Sequence, residues 1–316
     1  MVTARTRAPY YESRFIRANH PERPQGLWLR ETVLLTTGGA ESADVWVMVF
    51  DPGGAGNWAL KQPHQIEDAE FRTDTWMVRI GETMLDDTAA CGSLNGPRSA
   101  SWDIRIAGGG EPVRLLTDRQ YSARFPSAKT QVRSPLARFD GRVQIDDVAV
   151  DLDGWTGSVN HNWGRRHTPA YAFGQVCGFD RAPSSSLEIV TARAGIGPLV
   201  LPPTTLMVLR HRGSEYAIRS VLAARRSSGA YQPFDWSFSA RFDDVTLEGQ
   251  MSVKPADVIG LNYTDTNGKT KYCYNSAIAD CRVQLSGKDS VELTATRRAM
   301  LEILTDSRHD DVPLLA

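Results

Sequence analysis

Four cysteines in 316 residues, at positions 91, 177, 273 and 281, are too few and too scattered to staple a disulfide-dependent fold. Their spacing fits no zinc site, and His161 and His167 have no third ligand nearby. Reduced, buried thiols are expected, although Cys273 and Cys281 could face each other across a hairpin. No run approaches the roughly 18 apolar residues of a membrane-spanning helix. Met1-Val2-Thr3-Ala4-Arg5-Thr6-Arg7 carries charge with no apolar run behind it, so no secretory leader is expected. The Asn262-Tyr263-Thr264 sequon then has no expected use. Neither sign of charge dominates: 36 basic against 37 acidic residues leave a formal net charge of −1. Without a basic stripe or an acidic tail, a nucleic-acid partner is not expected. Gly53-Gly54-Ala55-Gly56 lacks the spacing and the helix of a phosphate loop. Gly92-Ser93-Leu94-Asn95-Gly96 lacks the flanking glycines of a nucleophile elbow. A cytoplasmic protein is expected.

Helical periodicity is scarce as well, and alternation with a period of two takes its place. Leu27 to Leu35, Val45 to Phe50, Thr75 to Ile80, Ala100 to Ile106 and Arg142 to Leu152 are β-rich runs, the last with Asp146-Asp147 at a turn. The second half continues with Tyr171 to Phe179, Leu187 to Arg193, Thr204 to His211, Tyr216 to Leu222, Phe234 to Phe242 and Val245 to Val253. Thr266-Asn267-Gly268 is a hairpin signal before Thr270 to Ser276. Only Arg297 to Leu304, inside the last extended run, has a helical alternative by propensity. Each half holds about eight to ten strands, the number that closes a small barrel around one ligand. The fold class predicted is all-β, with two antiparallel barrels in tandem, residues 1–153 and 154–316, and the boundary near Asp153.

The densest chemistry lies at mid-chain, in Gly154-Trp155-Thr156-Gly157-Ser158-Val159-Asn160-His161-Asn162-Trp163-Gly164-Arg165-Arg166-His167. On a strand, Trp155, Gly157, Val159, His161 and Trp163 share one face, and Ser158, Asn160 and Asn162 the other. An imidazole and an indole thus share a surface before Gly164 ends the extended run. Such a pair suits a pocket that binds an apolar ligand and moves a proton. The two asparagines read as turn or inter-lobe hydrogen bonders, and Arg165, Arg166 and His167 as a solvated turn. A contact of the arginines with an anionic head group is the other reading.

This stretch resembles the central motif of the tocopherol cyclase-like proteins, and its His-x-Trp-Gly core that of the AttH-like and carotenoid 1,2-hydratase proteins and of fungal Diels–Alderases. Ser134-Pro135-Leu136-Ala137-Arg138-Phe139-Asp140-Gly141-Arg142-Val143 also resembles the approach to that motif, and the likeness spans about residues 134–180. It implies two lipocalin-like (calycin) barrels and proton-initiated additions to isoprenoid double bonds, without a metal or redox cofactor. His161 and Trp163 sit on the motif itself. The hydratases add an acid in a Tyr-x-Asp setting; Glu188 lies in about the right place, with Ser186 where the tyrosine would stand.

His161 is the candidate proton donor, or the group that orients one, with a turn-fixing histidine as the plain alternative. Trp163 is either a pocket wall that stabilises a carbocation or a core plug. Glu188 alternates with Leu187 and Ile189. If those two fill the barrel it is outside and inert; if they face a neighbouring lobe it is inside, with a raised pKa. The inert placement is the one expected. Asp235, beside Trp236, is an independent acid candidate. Trp155, Tyr171, Phe173, Gln175 and Trp236 complete the expected ligand-binding set, with Gln175 the one polar group in an apolar row. Three functions follow: a cofactor-free cyclase or hydratase of an isoprenoid or lipid, a carrier of a hydrophobic small molecule, or a scaffold with filled barrels. An acid aimed into the cavity of the imidazole separates the first two. Peripheral membrane contact is a further expectation for such a ligand.

Overall fold

A computed structural model describes residues 7–316 other than 55, 97, 194, 197, 198 and 289; of 195, 196, 199 and 200 it describes the backbone alone. The leader-free reading of Met1–Arg7 and the Ala55 position of the glycine-rich turn therefore lie, wholly or nearly so, outside the described residues. Among these residues no helix is long and apolar enough to cross a membrane.

The chain is nearly all strand and forms two nearly closed antiparallel barrels. The first is built from β1 (Tyr10–Asn19), β2 (Gly26–Leu35), β3 (Glu41–Phe50), β4 (Trp58–His64), β5 (Ala69–Phe71) and β6 (Val78–Ile80). It continues with β7 (Thr83–Leu85), β8 (Ala89–Leu94), β9 (Ala100–Gly109), β10 (Val113–Arg114), β11 (Ala128–Ile145) and β12 (Val148–Gly164). A single short helix, α1 (Asp118–Ser122), precedes β11. Strand order is β4-β3-β2-β1-β12-β11-β9-β8-β7-β6-β5, with β10 beside β11.

The second barrel uses β13 (Ala170–Phe179), β14 (Ala182–Arg193), β17 (Thr204–His211), β18 (Ser214–Ile218), β19 (Ser227–Gln232) and β20 (Asp235–Arg241). The small ribbon of β15 (Gly195–Ile196) and β16 (Leu199–Val200) interrupts that run. β21 (Thr246–Ser252), β22 (Ile259–Thr264), β23 (Thr270–Ser286) and β24 (Val291–Thr305) complete it. Its order is β18-β17-β14-β13-β24-β23-β21-β20-β19, with β22 beside β23. In both barrels the first strand pairs with the last, β1 with β12 and β13 with β24. The halves thus share an architecture without an obvious repeat of letters.

One expectation needs correction. The motif strand β12 lies whole in the first sheet, so the change of barrel falls between Gly164 and Ala170 and not at Asp153. What holds β12 there is its ladder to β1, from Tyr11↔Gly164 to Asn19↔Thr156. The motif glycines permit that close approach: a Cβ on Gly157 would lie 1.8 Å from the Arg17 carbonyl oxygen, and one on Gly164 2.1 Å from that of Ser127. Arg297 to Leu304 is strand, the favoured reading, with Ala299, Leu301 and Ile303 in the second-barrel core and Met300 and Leu304 at the seam, so burial on both faces outweighs helix propensity. Cys273 and Cys281 occupy one strand and are free and buried.

Each barrel has its own apolar core. A third cluster joins them, with Phe15, Trp28, Met48 and Phe50 from the first sheet against Ile259, Leu261, Ile278 and Met300 from the second. At about 1.5–3 kcal/mol per fully buried large apolar side chain, this seam holds the barrels together. The outer faces of β1, β2, β12, β13 and β24 are consequently interior to the molecule.

Candidate active site between the barrels

Alternation along β12 is as the sequence indicates, and its two faces look into different places. Trp155 and Val159 point into the first barrel and belong to its core. His161 and Trp163 follow on the same face, stacked at 4.4 Å. His161 Nε2 lies 2.9 Å from Glu12 Oε1, and Glu12 also meets Arg14 Nη2 at 3.1 Å and the Tyr10 hydroxyl at 2.7 Å. Arg14 in turn donates to the carbonyls of Arg72 and Met77, tying β1 to the loop before β6. Burial favours a neutral Glu12, but the bonds from His161 and Tyr10 and the charge of Arg14 hold it down to about 2. Burial also lowers His161, leaving a neutral ring whose Nε2–H donates to an ionised Glu12.

The opposite face of β12 meets the second barrel. Asn160 Oδ1 accepts from Gln175 Nε2 at 3.0 Å, and Gln175 Oε1 accepts from Ser158 at 2.7 Å. Gln175 Nε2 also reaches Glu188 Oε2 at 2.7 Å. Beyond this network lies a cavity of about 190 Å³ between the barrels. The second sheet supplies its floor in strand order. Thr204 and Leu206 on β17, Val190 and Ala192 on β14, and Phe173 on β13 make an apolar end. Tyr171, Glu302 on β24, Lys271 on β23 and Tyr263 on β22 make a polar end. Tyr11, Phe15, Arg30 and Asn162 close it from the first sheet. Leu115, Leu116 and Gln120 cover it, on a segment fixed by a capping box in which Thr117 and Gln120 bond each other's backbone.

The polar end is dense in chemistry. Glu302 accepts a hydrogen bond from the Tyr171 hydroxyl. Arg30 donates through Nε to Ser13 Oγ at 2.6 Å and through Nη1 to the Tyr263 hydroxyl. Burial raises Glu302 above the ordinary carboxylate range, against the opposing pull of Arg30 and Tyr171. The Tyr171 and Tyr263 phenols are raised by burial as well. His167 stacks on Tyr11 at 3.8 Å, and its Nδ1 lies 3.0 Å from Asp265 Oδ1. Burial lowers His167; burial would raise Asp265, yet His167 and Thr266 hold it ionised. A neutral His167 donating Nδ1–H to Asp265 keeps its lone pair on Nε2, the arrangement of an oriented base. Among the described residues, no group of three or more His, Cys, Asp or Glu could hold a metal ion.

The expected site is therefore divided. Tyr171 and Phe173 line the cavity, while Gln175 and Glu188 lie in the network beside it. His161 and Trp163 do not line it; they lie half-buried on the other face of β12, against Trp76 and Tyr121. Trp155 and Trp236 are core residues of the first and second barrels. Asp235 is exposed, accepts from Gln250 and does not line the cavity. Leu187 and Ile189 do fill the second barrel, and Glu188 is outside it, but outside is not solvent here. The first barrel covers Glu188, and desolvation pushes its carboxyl up to about 8. His167, read as part of a solvated turn, is packed between Tyr11 and Asp265. Arg30, Glu302 and the Tyr171 hydroxyl went unnoticed as a group. Their signal was charge set in an apolar run, the Arg30-Glu31 pair within Leu27 to Leu35 and Glu302 alone in Leu301-Glu302-Ile303, where burial demands a partner.

Tandem calycin-like barrels enclosing a cavity at their seam place the chain among the double-calycin folds, the frame that the His-Asn-Trp-Gly motif implied. An AttH-type protein (NE1406) of Nitrosomonas europaea shares that fold with TM-score 0.60 at 8% identity, over 95% of this chain and 94% of that one. CghA, in a structure with Sch210972, gives 0.60 at 9% identity over 95% and 90%. Kievitone hydratase of Nectria haematococca gives 0.57 at 8% identity over 95% and 90%. Two curated Mycobacterium tuberculosis proteins, "Uncharacterized protein Rv0493c" and "Uncharacterized protein MT0513", are each 27% identical over 272 residues, 83% of this chain and 77% of theirs. No family model matches the sequence.

Proposed function

We propose that the inter-barrel cavity binds an apolar lipid or isoprenoid with one polar end and catalyses a general-acid addition to its double bond, a hydration or a cyclisation. The reading rests on one observation: a buried carboxylic acid with a raised pKa, Glu302, lines the same cavity as an oriented imidazole, His167. Glu302 in its neutral form protonates one alkene carbon, and Arg30 and Tyr171 stabilise the carboxylate left behind. The rings of Phe15, Phe173 and Tyr263 stand by the developing cation, at about 1–2 kcal/mol each in a dry site. Water, or a hydroxyl of the substrate itself, forms the new bond at the other carbon. His167 takes the proton released, and its return to Glu302 restores the site. Hydration at a solved double-calycin relative, kievitone hydratase, is in keeping with this chemistry. Glu188, neutral near pH 7, is a reserve of protons next to the apolar end.

Native mass spectrometry of ligand co-purified from the producing cells tests the reading. The wild-type protein should hold a product heavier by one water, or an isomer with one more ring. Glu302→Gln should hold the unreacted parent, with turnover down by about 10²–10⁴. The same unaltered ligand in both proteins would make the cavity a carrier's.

A further inference from the structure

The apolar end of the cavity opens onto a rim unlike the rest of the surface. Large exposed apolar side chains are few among the described residues, and two of them, Phe125 at 39% and Val221 at 49% exposure, also line the cavity. Leu222, next in the chain, is 81% exposed. Singly exposed apolar residues are ordinary, but a group at the mouth of an apolar cavity is not. Phe125 follows α1, and Val221 and Leu222 enter the short 3₁₀ turn Ala223–Arg226, so both lips are tight turns that project a side chain.

Charge gathers around the same lips. Segments 117–127, 165–168 and 219–226 contain seven arginines and one acid, Asp118, in a chain whose total charge is near neutral. Arg165 belongs with the first lip because its amide donates to the Ser127 carbonyl at 3.2 Å. Asp118 is occupied by Arg114, Arg219 by Glu215 and Arg226 by Asp243. Arg119, Arg124, Arg165 and Arg225 remain exposed around Phe125, Val221 and Leu222.

We propose that this rim docks the protein on an anionic bilayer surface, with Val221, Leu222 and Phe125 entering the headgroup boundary and the flanking arginines meeting lipid phosphates. Apolar wedges ringed by basic residues are the chemistry of interfacial binding, and two weak signals together make it stable. Docking in this pose sets the apolar end of the cavity against the acyl chains, so that a sparingly soluble ligand enters without crossing water.

Cosedimentation of the full chain with sucrose-loaded vesicles tests this. Phosphatidylcholine vesicles with 30% phosphatidylglycerol, at roughly physiological charge density, should pull the protein down at low salt. Partition should fall at least tenfold in 0.5 M salt or on phosphatidylcholine alone, as screening of the arginines requires. The double variant Val221→Asp/Leu222→Asp, whose positions are solvent-exposed and so leave folding intact by circular dichroism, should also lose at least tenfold. Arg124→Ala/Arg225→Ala should lose less and flatten the salt dependence. Absence of binding to anionic vesicles, or a double aspartate variant that binds like wild type, overturns the proposal. The measurement uses no turnover, so its failure leaves the cavity reading untouched.

Discussion

Two histidine–carboxylate pairs sit on opposite sides of the β1–β12 layer, and they are nearly alike in geometry. His161 meets Glu12 at 2.9 Å and stacks on Trp163; His167 meets Asp265 at 3.0 Å and stacks on Tyr11. The surroundings separate them. The first pair is held by Arg14 and Tyr10 on the first-barrel side, whereas the second borders a cavity that also contains Glu302. An imidazole with an orienting acid is thus a means of fixing strands as readily as a catalytic device. What distinguishes the two is room for a substrate, and only the pair that sequence reading passed over lines the cavity.

This contrast is open to direct challenge. His167→Ala should lower turnover of the co-purified ligand by about 10² or more, the usual worth of a positioned base, with a modest change in melting temperature. Undiminished turnover would remove His167 from the chemistry. His161→Ala should do the reverse. It strips a hydrogen-bond donor from a buried carboxylate, at a cost of about 3 kcal/mol read by urea denaturation, while turnover per folded molecule holds. A collapse of turnover with stability intact would return the catalytic role to the motif histidine.

The smallest effect concerns pH. Glu188 has its carboxyl pushed up to about 8, against an ordinary value near 4.5. The folded protein therefore keeps a proton that the unfolded chain releases between those values. The associated stability is fully present below about pH 4.5 and is lost as pH rises through about 8. Glu31, also buried and raised to about 8, acts in the same direction. Between pH 5 and 8.5 the wild-type protein should lose stability relative to Glu188→Gln, which preserves an acceptor for Gln175, by on the order of 2 kcal/mol read by urea denaturation. Parallel profiles for the two proteins would show that Glu188 is not held neutral.

Much of the fold was legible because period-two alternation directly reflects the faces of a sheet. It correctly separated His161 and Trp163 from Asn160 and Asn162, and of the turn and inter-lobe roles it left to the asparagines, Asn160 takes the second with Gln175 while Asn162 bonds Thr130 in its own sheet. It could not say which face meets the cavity. In a lone barrel the outer face is wet, and that premise made Glu188 inert and His167 solvated. Here the outer faces of β12, β13, β14 and β24 are buried by the neighbouring barrel, so both faces of one strand lie in the interior. The boundary expected near Asp153 falls inside β12, because that strand runs through the motif to Gly164 and its glycines serve tight strand contact.

The pairing of first with last strand in each barrel has a consequence for biosynthesis. β1 waits for β12, more than a hundred residues downstream, before its second edge is covered, and β13 waits likewise for β24. Such long-range closures are slow, and until they occur the waiting edges are open to pairing with other chains. Glu302 arrives on β24, so the Tyr171–Glu302 contact forms only when β24 pairs with β13. The polar end of the cavity is thus completed by the same pairing that closes the second barrel.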